Sequence, residues 1–234
     1  MRWLLVLIVI ALAACEPIQT TQSIPQRQDL SRGEVRALAQ RAAQQFVSVV
    51  DRVEPVAEEE CRRATRGVNC DYQIVVDDTP GEAPNAFQTV DANGRPILAF
   101  NLALILSAQN ADELAFVMGH EASHHIAGHL GRAQQNAAVG ALIFSGLAAL
   151  GGGSADAVRN AEQMGASLGA RSFSKEFELE ADRLGTVIAI RAGFDPVRGA
   201  EFFTRLPDPG DKFLGTHPPN AARIEAVRRT AAAL

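Results

Sequence analysis

The amino-acid sequence predicts one mostly helical α+β domain that contains a small antiparallel β-sheet. Most of the chain has apolar residues at the spacing of amphipathic helices, whereas residues 72–101 have the pattern of short strands and a hairpin. With 234 residues, of which 47% are hydrophobic, the chain is long enough to bury one sizeable core. The sheet is expected to lie beside the helix that carries residues 120–124.

The first predicted helix begins at Ser31, where Glu34 stands at the right offset for a capping box. The apolar residues that follow at helical spacing are Val35, Leu38, Ala39, Ala42, Phe46, Val49, Val50 and Val53. Residues 72–76 are predicted to form a strand. Residues 88–91 and 96–100 flank Asn93-Gly94, a dipeptide that strongly favours a hairpin turn.

Asn110 is predicted to begin the next long helix, with Glu113 again at the capping-box offset, and this helix should run to about Leu130. Residues 137–153 are apolar but rich in glycine, and they fall short of the roughly 20 strongly apolar residues of a membrane span. A buried or partly exposed helix is therefore expected there. The remaining predicted helices cover residues 155–170, 177–192 and 220–233. The second of these is expected to end at Gly193.

The N-terminus has the pattern of an export signal. Arg2 precedes an unbroken apolar run at residues 3–14, which has the length of a signal-peptide core. The run ends in Leu12-Ala13-Ala14-Cys15, which resembles the bacterial lipobox. We therefore expect residues 1–14 to be a lipoprotein signal peptide, Cys15 to be lipidated, and residues 15–30 to form a flexible tether. An ordinary cleaved signal peptide with an accidental cysteine is the alternative.

Export places the protein in the cell envelope, on the periplasmic side, and we favour anchoring to the outer membrane over the inner one. In that oxidising compartment Cys61 and Cys70 are expected to form a structural disulfide. A thiolate metal site is the rival interpretation, but no histidine lies nearby. The net charge of −5, without a basic cluster, argues against nucleic-acid binding.

A metal-binding motif lies on the helix that is predicted to begin at Asn110. His120 and His124 are four residues apart, so they lie about 40° apart on one helix face and can bind the same tetrahedral zinc ion. Glu121 stands beside them, in position to take a proton from the attacking water. His125 and His129 point away from that face, at about 140° and 180° round the helix from His120, so surface or structural roles are expected.

A catalytic zinc site needs a third protein ligand and one open position. The residues after His124 do not match the His-x-x-Gly-x-x-His extension that supplies a third histidine in some zinc peptidases. A downstream carboxylate is the alternative. Glu178 and Asp182 are four residues apart and share a helix face, whereas Glu180 points elsewhere and is expected to be solvated.

These motifs resemble the HtpX, Oma and CAAX-prenyl-endopeptidase family of zinc metallopeptidases, and in particular its periplasmic lipoprotein members. The resemblance rests on His120-Glu121-x-x-His124 and on Ser174-Lys175-x-x-Glu178-x-Glu180-Ala181-Asp182-Arg183-x-Gly185, and it covers residues 30–230. It implies a gluzincin-type fold, Glu178 as the third zinc ligand, and Asp182 hydrogen-bonded to a ligand histidine. Lys175 replaces the arginine that is usual in the family.

Two further segments resemble the same family. Residues 85–87 resemble the stretch before its sheet, whose edge strand binds extended substrate. The resemblance implies that the substrate-binding edge strand here consists of Ile97, Leu98, Ala99, Phe100 and Asn101. Thr216-His217-Pro218, followed by Arg223-Ile224, resembles the tail of the family, so His217 is a candidate oxyanion stabiliser or reversible fourth ligand, and Arg223 a candidate substrate-binding residue. The chain ends at Leu234, and no C-terminal helical-repeat domain is expected.

Residues 31–234 are therefore interpreted as a zinc metallopeptidase domain with one Zn²⁺ per chain. The expected activity is hydrolysis of extended or misfolded envelope proteins by metal-activated water, with Glu121, Asp182 and His217 as the catalytic residues. The alternative is a chaperone-like zinc lipoprotein in which His217 holds the site closed. A third hypothesis is a membrane-assembly scaffold that uses residues 137–153.

Overall fold

The computed structural model describes residues 31–172, 174–210 and 217–234, so the predicted signal peptide and Cys15 lie outside the described residues. The mostly helical α+β prediction is confirmed. The chain forms α1 (Arg32–Ala64), β1 (Gln73–Asp77), β2 (Ala86–Val90), β3 (Pro96–Asn101), α2 (Leu102–Ser107), α3 (Ala111–Ile126), α4 (His129–Leu150), α5 (Ala155–Arg171), α6 (Ser174–Arg191), α7 (Pro196–Gly199), a 3₁₀ helix (Ala200–Arg205) and α8 (Asn220–Ala232).

Helix α1 begins with the predicted capping box. The backbone N–H of Glu34 donates to the Ser31 hydroxyl at 3.3 Å, and the Glu34 carboxylate accepts from the Ser31 backbone N–H at 2.8 Å. The buried face of α1 packs mainly on α3 and also reaches the sheet, where the rings of Phe46 and Phe100 meet edge to face with centroids 5.3 Å apart. This packing places the sheet and α3 in one hydrophobic core.

The sheet has three strands in the order β1-β3-β2. Strands β2 and β3 are antiparallel and are joined by the predicted Asn93-Gly94 turn, in which Gly94 has a positive φ of 80°. Strand β1 pairs parallel to β3. The predicted purely antiparallel sheet is therefore wrong, because β1 pairs in parallel with β3 and does not pair with β2, its neighbour in sequence.

This strand order also corrects the predicted edge strand. Residues 97–101 lie in β3, the central strand, which is hydrogen-bonded to β1 on one side and to β2 on the other. Its backbone groups have no free edge to offer a substrate. The apolar sequence of these residues reflects burial, since Leu98 and Phe100 are in the core. Among the described strands, β2 and β1 form the two edges.

Helix α3 ends earlier than the predicted Leu130. Its last residue is Ile126, and Gly128 then adopts a left-handed conformation with a φ of 66°, from which α4 begins at His129. A residue with a side chain rarely adopts this conformation, so the glycine permits the change of direction. The turn reorients every residue after Gly128 relative to the metal-binding motif.

Helices α4 and α5 form a hairpin whose backbones touch at Gly140 and Gly165. Large apolar side chains on α4 are exposed, namely Val139, Leu142, Ile143, Leu147 and Leu150. The prediction of a partly exposed helix is confirmed for this segment. Within the described ranges, α4 is the one helix with the length and composition of a membrane-crossing segment, a match that by itself places no part of the chain in a bilayer.

The structure joins Cys61, near the end of α1, to Cys70, just before β1, in a disulfide. We expect the double variant Cys61→Ser/Cys70→Ser to lose about 2–4 kcal/mol of unfolding free energy, because the bond restricts the unfolded chain. Urea unfolding of the variant and of wild type with and without reductant measures this. Reduced wild type should match the variant, and an oxidised wild type no more stable than the variant would contradict the prediction.

Candidate metal centre

The site is built where α3 crosses α6 at a pair of glycines. A Cβ atom on Gly119 would lie 2.9 Å from the Gly185 carbonyl oxygen, and one on Gly185 would lie 2.8 Å from the backbone nitrogen of His120. Any larger residue would force the two helices apart. The glycine pair thus sets the distance between the His-Glu-x-x-His helix and the helix that carries Glu178 and Asp182.

Across this crossing the structure brings together the three predicted ligands. The Nε2 atoms of His120 and His124 are 3.0 Å apart, and the Glu178 carboxylate oxygens lie 3.6 Å and 3.5 Å from them. Tetrahedral zinc with ligand distances of about 2.0–2.1 Å separates its ligand atoms by about 3.3–3.4 Å. The donor atoms of His120, His124 and Glu178 therefore fit one metal ion of that size.

Asp182 orients the ligand His120 through the ring nitrogen that does not face the metal position, as the resemblance implied. Its Oδ1 atom lies 2.9 Å from Nδ1 of His120, and the carboxylate is completely buried. A carboxylate can only accept, so Nδ1 of His120 donates and Nε2 faces the metal position. Burial raises the pKa of Asp182, but hydrogen bonds from Arg223 and His120 outweigh burial and lower it below its usual value.

Arg223 is the cation of this cluster. Its Nε and Nη2 atoms donate to the two oxygens of Asp182 at 2.8 Å and 2.7 Å, and Nη1 lies 3.4 Å from Glu178. The side chain is buried, with its guanidinium 3.9 Å above the ring of Phe203. Arg223 lies at the site, as expected. The predicted role was substrate binding, but its hydrogen bonds go to Asp182, so it positions this carboxylate.

His129 and Glu180 are the site residues that the sequence interpretation missed. His129 was expected to face away from the metal, but its Nδ1 atom lies 2.9 Å from Nδ1 of His124. Glu180 is exposed, as expected, but its carboxylate also lies 3.1 Å from Nε2 of His129 and accepts from Arg132. The turn at Gly128 brings His129 to this position, and Gly128 was the sequence signal that could have ended the helix. His125 does lie apart, against Asn69 and Tyr72.

Glu121 and His217 line the cleft that opens onto the three donor atoms. The cleft has a volume of about 550 Å³. Burial raises the pKa of Glu121 above its usual value, which suits a group that must accept a proton near neutral pH. His217 is half exposed, and its Nδ1 atom lies 3.1 Å from the Glu178 carboxylate, so the predicted approach of His217 to the site is observed. Thr216 lies outside the described residues.

Strand β2 forms one wall of the same cleft. Residues 84–88 line it, and β2 is an edge strand with the Phe87 side chain exposed. The edge at the site is therefore β2, in place of the predicted residues 97–101. Asn101, the last of those residues, caps α2 by accepting from Leu104 and binds Asn85 and Ala83 through its side chain.

The two ligand histidines differ in protonation. Burial and Arg223 lower the pKa of His120, but Asp182 and Glu178 outweigh them and raise it to about 9. Burial and the neighbouring His120 lower the pKa of His124 to about 3. At neutral pH and without metal, His120 is therefore protonated on both ring nitrogens, and a metal ion must displace the hydrogen on Nε2. His124 is already neutral.

The fold and site together define a class of protein: a helical domain with a two-histidine, one-carboxylate metal centre and a buried glutamate in the adjoining cleft. This is the donor set of gluzincin metallopeptidases. Residues 43–231 match the family model of peptidase family M48, and the chain belongs to that family.

Curated relatives agree with this family. The beta-barrel assembly-enhancing protease of Escherichia coli (strain K12) is 34% identical over 160 residues, which make up 63% of this chain and 32% of that protein. The protein of the same name from Yersinia pestis is 32% identical over 169 residues, with the same two shares of 63% and 32%. The mitochondrial metalloendopeptidase OMA1 of Saccharomyces cerevisiae is 29% identical over 168 residues, 68% of this chain and 46% of that protein. The matched regions thus span about a third to a half of these relatives.

Proposed function

We propose that this protein is a zinc metalloendopeptidase of the bacterial cell envelope that cleaves extended or misfolded envelope proteins. The observation that carries the proposal is the convergence of the donor atoms of His120, His124 and Glu178 on one position, with Glu121 beside them in an open cleft. Family M48 membership supports peptide hydrolysis as the reaction. The single cluster of three donor residues among the described residues supports one zinc ion per chain.

The chemistry is divided between the ion and the chain. When bound, zinc would polarise the scissile carbonyl and make the attacking water more acidic. Glu121, with its raised pKa, accepts the proton of that water and delivers it to the leaving amine. His217 stands at the mouth of the site, close enough to Glu178 to donate to an oxyanion formed there. Asp182 and Arg223 hold the ligands in place.

Extended polypeptide is the proposed substrate class. The edge of β2 that lies away from β3 is free of strand partners among the described residues, and β2 lines the cleft that holds Glu121. A substrate strand added to this edge would be recognised through its backbone, so selection would favour unfolded segments over particular side chains. The assignment of this role to β2 replaces the earlier expectation for β3.

The envelope location rests on the sequence of residues 1–30 and on the relatives. The lipobox-like segment that ends at Cys15 supports a lipid anchor on the periplasmic side, and we favour the outer membrane. The name of the Escherichia coli relative, beta-barrel assembly-enhancing protease, supports a role near the assembly of β-barrel proteins. We propose that the tether of residues 15–30 keeps the site within reach of such substrates.

Zinc analysis combined with a casein-cleavage assay tests the proposed function. The purified protein should contain about one zinc per chain, lose cleavage when a chelator removes the metal, and regain cleavage when zinc is restored. Magnesium should not restore it, because two histidines are poor ligands for that ion. Stoichiometric zinc without any cleavage, in wild type and in His217→Ala, would favour the chaperone-like alternative, for which the contact between His217 and Glu178 is the supporting observation.

A further inference from the structure

His124 has a supporting chain of its own, separate from the one that holds His120. Nδ1 of His124 lies 2.9 Å from Nδ1 of His129, and Nε2 of His129 lies 3.1 Å from a carboxylate oxygen of Glu180. The His129 ring is buried and lies flat on Phe177, with an interplanar angle of 12° and centroids 4.5 Å apart. Its orientation is therefore fixed by packing as well as by hydrogen bonds.

The far end of this chain is also anchored. The Arg132 guanidinium donates to the same oxygen of Glu180 at 2.9 Å and lies 4.2 Å above the ring of Phe177. Glu180 is half exposed, whereas Asp182 is buried. The two ligand histidines are thus supported differently: His120 directly by a buried carboxylate, and His124 through a second imidazole that reaches a carboxylate at the surface.

The direction of each hydrogen bond follows from the chemistry of the groups. The Glu180 carboxylate accepts, so Nε2 of His129 carries the hydrogen and donates. The two Nδ1 atoms lie 2.9 Å apart, so one ring donates and the other accepts, and a neutral imidazole that already donates through Nε2 has no second N–H. Nδ1 of His129 therefore accepts, and Nδ1 of His124 must donate to it. Nε2 of His124 is then left without a hydrogen, facing His120 and Glu178.

We propose that His129, held by Glu180, is a positioning residue that fixes the tautomer and ring orientation of His124 so that its Nε2 atom can bind the metal. The inference rests on the metal centre of the proposed function and does not depend on peptide cleavage. Groups that hold a ligand histidine in this way contribute about 10- to 100-fold to metal affinity. His129 and Glu180 therefore act on zinc retention through His124, without touching the ion.

Zinc affinity, measured by competition with a chromophoric chelator, tests this role. His129→Phe keeps a ring on Phe177 but removes both nitrogens, and we expect its zinc affinity to fall by about 10- to 100-fold. His129→Asn places an amide oxygen near the position of Nδ1, so it should recover most of the lost affinity. His125→Phe is the matched control, because His125 is a neighbouring histidine whose ring contacts Asn69 and Tyr72. Its affinity should equal that of wild type.

Glu180→Ala keeps the test decisive if His129→Phe does not fold, since this half-exposed residue can be removed without opening the core. Its zinc affinity should also fall, and two-dimensional ¹H–¹⁵N spectra of zinc-loaded wild type should show the hydrogen on Nδ1 of His124 and on Nε2 of His129. Three results would each overturn the inference. The first is equal zinc affinity in wild type, His129→Phe and Glu180→Ala, and the second is an equally weak zinc affinity in His129→Asn and His129→Phe. The third is the opposite tautomer of His129. A wild type that binds no zinc would instead overturn the metal centre itself.

Discussion

Replacement of Glu121 by glutamine is expected to reduce casein cleavage by about 10²- to 10⁴-fold while zinc content stays at the wild-type level. Glu121 is not one of the three converging donor residues, so its removal leaves the ligands intact. The glutamine has nearly the same shape but cannot accept the proton of the attacking water at neutral pH. Turnover of a fluorescent casein and metal analysis of the same samples measure both quantities.

Glu176→Gln is the matched control for this variant. It makes the same change of charge and shape at an exposed residue in the first turn of α6, two residues before Glu178. Its cleavage rate and zinc content should both equal those of wild type. Cleavage by Glu121→Gln within tenfold of the wild-type rate would remove Glu121 from the role of general base, and loss of zinc would show that it supports the ligands.

Replacement of Arg223 by methionine is expected to lower the unfolding free energy of the metal-free protein by about 3–5 kcal/mol. The guanidinium donates to both oxygens of Asp182, and both side chains are buried. Methionine fills much of the same space but removes both guanidinium hydrogen bonds from the buried Asp182 carboxylate, which then keeps only His120 as a charged partner. Urea unfolding at pH 7 measures the difference.

The pH dependence of this effect has a definite sign. In the folded protein the pKa of Asp182 is lowered by Arg223 and His120 despite burial, so its ionised form stabilises the fold above the ordinary pKa of an aspartate. That stabilisation is lost as the pH falls through the lowered folded-state pKa. The gap between wild type and Arg223→Met should therefore be widest near neutral pH and should narrow in acid.

Arg229→Met provides the control on the same helix. Arg229 forms a pair with Glu225 in which both side chains are well exposed to solvent, and such pairs contribute little. We expect this variant to unfold within about 0.5 kcal/mol of wild type. An Arg223→Met protein that lost less than about 1 kcal/mol would show that water or a rearranged neighbour takes over the role of the guanidinium.

Much of the site could be predicted because its signals are local. His120, Glu121 and His124 belong to one helix, whose fixed rotation per residue places the two histidines on one face wherever that helix lies. Asn110 with Glu113, and Ser31 with Glu34, marked helix starts that the structure contains, because capping contacts are formed within four residues. Ser31 and Glu34 form a full capping box, and the Asn110 side chain accepts from the Glu113 backbone N–H. Resemblance then supplied Glu178 and Asp182, which no local spacing could have distinguished from other paired carboxylates.

The wrong predictions have two causes, which are strand pairing between distant segments and a helix break that was not recognised. The order of strands is decided by which edges pair, so the family resemblance alone could not show that residues 97–101 form the central strand. The helical periodicity of the sequence continues past Ile126, and on an unbroken helix His129 would face away from the metal. A single left-handed glycine, Gly128, directs that histidine back against His124.

The sequence by itself determined a mostly helical domain, the helix that carries two ligand histidines and a glutamate, and the candidate third ligand. The tertiary structure decided what surrounds them. Backbone contact at Gly119 and Gly185 sets the distance between ligands on different helices, and Arg223 and His129 reach the ligands only after α8 and α4 have packed. Ligand spacing along one helix is a property of local geometry, whereas the groups that orient and stabilise those ligands come together only when distant segments close around one core.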